Sequence, residues 1–227
     1  VVEDDKRSSG IALAVKTLSP RTKVYGVQAA GAPSMFNSVN SGKITCLDSV
    51  STIADGIAVK QPGENTFDIV SKYVDDIALV TEDEISSAIL ALIEKEKMIA
   101  EGAGAVSVAA AMFEKFPMEG NKVVSVVSGG NVDVTSLNRI IERGLIKSGR
   151  NTTLLIELVD KPGQLQAVSR IIAEKGGNVI SVHHERNGET ASINGCFLRI
   201  GMETRNFEHI LEINEALQKE GFKIIQG

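Results

Sequence analysis

Apolar and polar positions change period along this chain, and the changes divide it into elements. Lys23 to Gln28 (KVYGVQ), Ile77 to Val80 and Lys122 to Val127 (KVVSVV) are short β-branched runs of the kind that form buried strands. Beside them lie segments with apolar residues at helical spacing, over Phe67 to Tyr73, Glu82 to Met98 and Ala103 to Phe116. Ile85, Ile89, Leu92 and Ile93 mark one face of the second, and Val106, Val108, Ala109 and Met112 one face of the third. Thr81 followed by Glu84 is a capping-box start for the helix from Glu82. Helix and strand in alternation over residues 10–148 predict an α/β layer with a mostly parallel sheet.

The pattern changes after Arg150. Thr153 to Val159 (TLLIELV) reads as a strand, Asp160-Lys161-Pro162-Gly163 as a turn, and Gln164 to Lys175 as a helix with Leu165, Val168, Ile171 and Ile172 on one face. Gly176-Gly177-Asn178 ends it with residues that tolerate left-handed backbone. Val179 to Glu185 and Ala191 to Met202 form two strands joined around Asn187-Gly188, a hairpin signal. A helix from Phe207 to Lys219 and a strand from Phe222 to Ile225 complete the order βαββαβ, the ferredoxin-like arrangement. A Gly-containing polar link near Gly149 to Asn151 sets domains of residues 1–149 and 150–227.

Composition narrows the function classes. The 227 residues suit two domains, and 43% hydrophobic residues suffice for real cores. A net charge of −5 with scattered Lys and Arg gives no nucleic-acid footprint. No apolar run is long enough for a bilayer and no charged-then-apolar start reads as a signal peptide, so a cytoplasmic protein without membrane contact is expected. Cys46 and Cys196 have no Cys or His at metal-ligand spacing and read as reduced thiols, with no metal site expected. His183 and His184 are adjacent on a strand and face opposite sides; with His209 they read as structural or surface residues.

Three segments carry candidate chemistry. In Val126 to Asp133 a strand ends in Ser128-Gly129-Gly130-Asn131 and a helix starts at once. Ligands of parallel sheets bind off strand carboxyl ends, and Gly129 and Gly130 admit a flat ring close to the backbone. The plainer account is a strand-to-helix turn in which Ser128 or Asn131 caps the helix. Glu101-Gly102-Ala103-Gly104-Ala105 sets a carboxylate before a helix of small residues, and Thr52 to Val59 (TIADGIAV) suits neither ordinary helix nor strand. Taken singly, each reads as tight packing.

Together and in order, "SGIALAVK", "KVYGVQAAGAPSM", "TIADGIAVKQPGENTFDIV", "VDDI", "EGAGAV" and "SGGNVD" resemble the threonine ammonia-lyase branch of the tryptophan-synthase-like pyridoxal-phosphate enzymes, from Ser9 to about Arg150. The resemblance implies part of a three-layer parallel-sheet domain and conversion of L-threonine to 2-oxobutanoate and ammonia, in isoleucine biosynthesis. It places Ser128 on the pyridine nitrogen of pyridoxal phosphate, with Gly129, Glu101 and Gly56 beside the cofactor. Serine racemases of the superfamily bind a metal through acids at positions that here read Gln28 and Ser34. The family's Schiff-base lysine lies in an amino-terminal segment, and its glycine-rich phosphate loop stands where this chain reads Glu3-Asp4-Asp5-Lys6-Arg7-Ser8, whose carboxylates repel phosphate. With Val1 in place of Met the chain reads as a fragment or processed product, expected to be inactive alone and to hold no covalent cofactor. Rival readings are a serine dehydratase or racemase relative and a non-enzymatic amino-acid-binding or oligomerisation module.

Asp160-Lys161-Pro162-Gly163-Gln164-Leu165 and Gly177-Asn178-Val179-Ile180-Ser181 resemble an ACT domain from Thr152 to the end. That family binds a small amino acid at a subunit interface. Gly163, Gln164 and Leu165 would supply backbone N–H groups to its carboxylate, and Asn178, Val179 and Ile180 would face them, with Leu165 and Ile180 lining the side-chain pocket. Isoleucine or valine is the implied effector and a homo-oligomer the implied assembly. An assembly module with an empty cleft is the alternative.

Overall fold

The computed structural model describes residues 5–185 and 195–225, with backbone alone for residues 5–8. It divides into two compact units, residues 1–141 and 142–227.

In the first unit, α1 (Asp5–Leu18) precedes β1 (Tyr25–Ala29), α2 (Ser34–Ser41), a 3-10 turn at Asp55–Ile57, α3 (Glu64–Tyr73), β2 (Asp76–Val80), α4 (Glu82–Ala91) and α5 (Gly102–Met112). β1 and β2 are parallel, with Val27 opposite Ala78. Their inner positions pack with Ile85, Ile89, Val106 and Ala109 in the main core. Asp75 fastens this layer: its carboxylate takes Lys16 of α1 at 2.6 Å, Lys23 at 2.8 Å and the Val24 N–H at 2.8 Å. The expected capping box starts α4, Thr81 Oγ1 accepting the Glu84 N–H and Glu84 accepting the Thr81 N–H. The helix expected through Met98 changes character at Leu92, where a π-helical turn runs to Glu96 and Lys97 ends it with φ +58°.

One expected strand does not form. Residues 122–133 have no regular secondary structure, and Val124 is 80% exposed. A β-branched run needs a neighbouring strand to take its N–H and C=O groups. Among the described residues β1 pairs only with β2, and a hollow of about 460 Å³ lies between Val24 and Tyr25 on one side and Lys122 to Val126 on the other.

α6 (Val134–Lys147) spans the division between the units. The second unit has β3 (Asn151–Val159), α7 (Gln164–Glu174), β4 (Asn178–Glu185), β5 (Gly195–Glu203), α8 (Phe207–Lys219) and β6 (Lys223–Ile225). The expected βαββαβ order forms an antiparallel sheet in the order β4-β5-β3-β6. Alternate β3 residues Leu154, Ile156 and Leu158 join Leu198, Ile200 and Met202 of β5 beneath Val168, Ile172, Ile213 and Leu217. His209 is buried, its Nδ1 accepting the Arg205 N–H and its Nε2 bonded to the Lys175 carbonyl, which makes it a structural residue as expected. Asn187-Gly188 and the first four residues of the expected third strand lie outside the described residues, as do Glu3 and Asp4.

Candidate functional site

The first turns of α5 carry nothing larger than a methyl group until Val106, and Gly102, Ala103, Gly104 and Ala105 are all buried. That lets other backbone come unusually close. A Cβ on Gly102 would overlap the Ile53 carbonyl, and one on Gly104 would overlap the Ser128 carbonyl. A Cβ on Gly56 would meet the Ala103 methyl at 3.1 Å. The three segments singled out in the sequence therefore converge on the amino-terminus of one helix.

Glu101 is the N-cap of α5 and closes this convergence. Its Oε2 accepts the Asn131 N–H at 3.1 Å, and its own N–H donates to the Gly129 carbonyl at 3.3 Å. The carboxylate lies against Gly129, which takes φ +83°; a Cβ there would collide with Glu101. Glycine is required at position 129 on both counts. Ser128 is half-buried, while Gly129 and Gly130 are exposed and present a strip of backbone without side chains. Ser128, Gly129, Glu101 and Gly56 are thus brought together.

Two side chains that the sequence did not single out fix the 125–131 segment in place of a strand ladder. Ser107 Oγ donates to the Val126 carbonyl at 2.7 Å, and Ser125 Oγ donates to the Ser107 carbonyl at 3.4 Å. The only hint in the sequence was a lone hydroxyl in an Ala- and Val-rich helix. The plainer account of Ser128 or Asn131 as a helix cap is not what starts α6. Asp133 does this, its Oδ1 accepting the Thr135 and Ser136 N–H groups at 2.9 and 3.0 Å. Hydrogen bonds from the Ser136 hydroxyl and N–H hold the Asp133 carboxyl below its ordinary range. At the racemase metal positions, Gln28 Oε1 accepts the Phe36 N–H at 2.8 Å, and Ser34 Oγ is buried without a hydrogen-bond partner.

In the second unit, Gly163 takes φ +89° before α7, and no side chain caps that helix. Gly163, Gln164 and Leu165 line a hollow of about 400 Å³ together with Val159, His184 and Cys196. Asn178 and its neighbours stand elsewhere. Asn178 pairs with Glu203 at one end of the sheet, whereas Glu185 at the other end pairs with Phe197, close to where β3 leads into the turn. Eight residues of strand make that separation about 23 Å. Asn178 Nδ2 donates to Glu203 Oε2 at 2.7 Å, Val179 packs on the core and Ile180 is 55% exposed. Within one chain the six expected effector residues form two groups.

The hollow also contains a grouping that spacing along the chain conceals. His184 pairs with Leu198, so it shares a face with Cys196 two residues away, and its Nε2 is 3.0 Å from the buried Cys196 Sγ. His183 pairs with Arg199 on the opposite face, as adjacency on a strand requires.

Comparison with known proteins places these units. Residues 7–129 match the family described as pyridoxal-phosphate dependent enzyme, and residues 152–218 match the ACT domain. An L-threonine ammonia-lyase of Thermotoga maritima is 44% identical over 95% of this chain and 54% of its own length. The processed form of threonine deaminase isoform 2 from Solanum lycopersicum is similar in structure, with 35% identity and a TM-score of 0.59 over 63% of this chain and 42% of that one. A maize serine racemase has 33% identity and a TM-score of 0.56 over 63% of this chain and 45% of that one. The chain spans about half the length of the curated relatives it matches.

Proposed function

The chain belongs to the pyridoxal-phosphate dependent enzyme family and carries an ACT domain, and on that premise we propose that it works as the carboxy-terminal part of a threonine ammonia-lyase regulated by an amino acid. The reaction is conversion of L-threonine to 2-oxobutanoate and ammonia. The observation that carries this is the convergence of Gly56, Glu101, Ser128 and Gly129 on the start of α5.

The exposed Gly129-Gly130 strip fits a flat ring, because a side chain there would fill the space the ring needs. Bound pyridoxal phosphate supplies the electron sink for loss of the substrate's β-hydroxyl. Ser128 would donate its hydroxyl to the ring nitrogen, a neutral partner that suits elimination better than a carboxylate does. Glu101, tied to Asn131, would hold the glycine strip flat beneath it. The lysines with defined partners among the described residues are engaged elsewhere: Lys16 and Lys23 on Asp75, Lys115 on Glu84, Lys223 on Glu157, Lys60 on the Asp48 carbonyl and Lys97 on the Glu94 carbonyl. This supports the reading that the chain by itself does not hold the cofactor covalently and is inactive.

For the regulatory unit we propose isoleucine or valine as ligand and a homo-oligomer as its setting. The uncapped N–H groups of α7 suit a carboxylate. Antiparallel pairing of β4 with β4 of a second copy would carry Asn178 of that copy toward Gly163 to Leu165, joining the two groups of effector residues. A cytoplasmic setting belongs to the same proposal; among the described residues no helix is long and apolar enough to cross a membrane.

Titration of the purified chain with pyridoxal phosphate, followed by visible absorbance, tests the first part, with isoleucine and valine calorimetry alongside. Isoleucine heat without a borohydride-trappable cofactor band is the expected result. A trapped band with threonine turnover overturns the inactivity. Absence of both signals favours a second reading, an assembly module, which the exposed edge strand β4 supports. Turnover of serine in preference to threonine by the complete enzyme would favour the serine-directed relatives instead.

A further inference from the structure

Asp160, His184 and Cys196 come from three different strands or their ends, yet one ligand atom from each lies within 4.8 Å of the other two. His184 Nε2 is 3.0 Å from Cys196 Sγ and 4.0 Å from Asp160 Oδ1. Cys196 is buried at the floor of the 400 Å³ hollow, while Asp160 and His184 stand at its mouth with side chains 34% and 38% exposed. We propose that these three side chains form a site for a thiolate-accepting divalent cation of the Zn²⁺ class.

The donor set is the basis of the choice. One thiol, one imidazole and one carboxylate make a mixed S, N, O set, which favours borderline-soft cations over Mg²⁺ or Ca²⁺. Tetrahedral bonds of about 2.0–2.3 Å put ligand atoms about 3.5 Å apart. The observed 3.0 and 4.0 Å contacts bracket that value, and the third separation is within 4.8 Å. Three protein ligands leave a fourth position toward the hollow for water or an incoming carboxylate. Binding releases the Cys196 proton to solvent, and the cation replaces it as partner of the sulfur. The sheet positions two of the three: Cys196 pairs with Leu158 of β3, and Asp160 follows β3 by one residue. The proposal is independent of the catalytic reading, but its site shares the hollow with Gly163, Gln164 and Leu165 of the proposed effector site.

The test is titration of the reduced full chain with Co²⁺ alone, reading the thiolate-to-cobalt charge-transfer band, followed by displacement with Zn²⁺. Cys46 is exposed and is the competing thiol, so Cys46→Ser is the control. The expected result is one cobalt per chain, with a band that survives Cys46→Ser and disappears in Cys196→Ser. Because Cys196 is buried, His184→Gln and Asp160→Asn, on exposed positions, provide the second reading. His184→Gln should weaken binding by at least about 100-fold, since loss of even an outer partner reaches that size. No band in the parent chain, a band lost in Cys46→Ser, or unchanged affinity in His184→Gln overturns the site.

Discussion

At Gly104 a missing methyl group and a neighbouring carbonyl contend for the same volume. The residue lies inside α5, where alanine would ordinarily gain about 1 kcal/mol in helix propensity. Its Cβ, however, would overlap the Ser128 carbonyl, and backbone cannot rotate away as a side chain can. Overpacking costs about 1–3 kcal/mol, so the overlap should win. Gly104→Ala is expected to lower stability in denaturant melts and to displace the 125–131 segment; a stabilised variant would show that this contact is loose. Gly129→Ala adds left-handed strain of about 1–2 kcal/mol to its overlap with Glu101. Glu101→Ala should recover the overlap part alone, which a double-mutant cycle measures. The convergence of Gly56, Glu101, Ser128 and Gly129 was legible because small residues clustered where neither helix nor strand had reason to want them. Ser107 was not legible, since its role depends on which carbonyl happens to lie beside it. His184 and Cys196 were hidden for a similar reason: their meeting is set by strand register across twelve residues, not by spacing along the chain.

Elements were readable where their signal is local. The Thr81-Glu84 box and the apolar face of α4 need no distant partner, and the structure has both; of the α7 face, Val168, Ile171 and Ile172 are buried while Leu165 is exposed. The Lys122 to Val127 run failed as a strand because hydrophobic pattern states what a segment would bury, not what will pair with it. The end of α4 was also out of reach, as nothing in Leu92 to Lys97 announces a π turn. Between elements, Asp75 makes the clearest electrostatic prediction. Burial pushes its carboxyl up, but hydrogen bonds from Lys16, Lys23 and the Val24 N–H outweigh this and lower it to about 2. A carboxyl lowered on folding stabilises the fold above its unfolded pKa and loses that contribution as pH falls through the folded one. The window here runs from the ordinary value of 3.8 down to about 2. Screening at the exposed Lys23 limits the effect to about 1 kcal/mol. The parent chain should therefore lose stability across this window by that amount more than Asp75→Asn, which starts lower at neutral pH. Parallel acid profiles of the two would sink the clamp. Thr81→Ala should cost about 1 kcal/mol at any pH, through the lost cap of α4.

For the whole molecule, the edge strand β4 bears on the proposed homo-oligomer. Edge strands of monomeric proteins are guarded by lysine, proline or short length. β4 has eight residues, NVISVHHE, with neither lysine nor proline, and both Ile180 and Val182 are exposed on it. Apart from the bulge between Val179 and Ser181 the edge is open, and on the proposed reading it pairs with an identical β4 run antiparallel, the self-complementary choice. That pairing would set Asn178 of one copy near Gly163 to Leu165 of the next, so on the proposed reading assembly and amino-acid binding should be lost together. Lysine at both Ile180 and Val182 places like charges along the pairing edge; Val182, opposite the core residue Ile200, is 39% exposed, so a denaturant melt must first show the double variant folded. Sedimentation of the double variant should show a species of half the parent's mass, and calorimetry should show the isoleucine heat gone. Unchanged mass would mean that the copies meet elsewhere. Halved mass with isoleucine still bound would confine the effector to the single-chain hollow at α7, with Asn178 serving only its bond to Glu203.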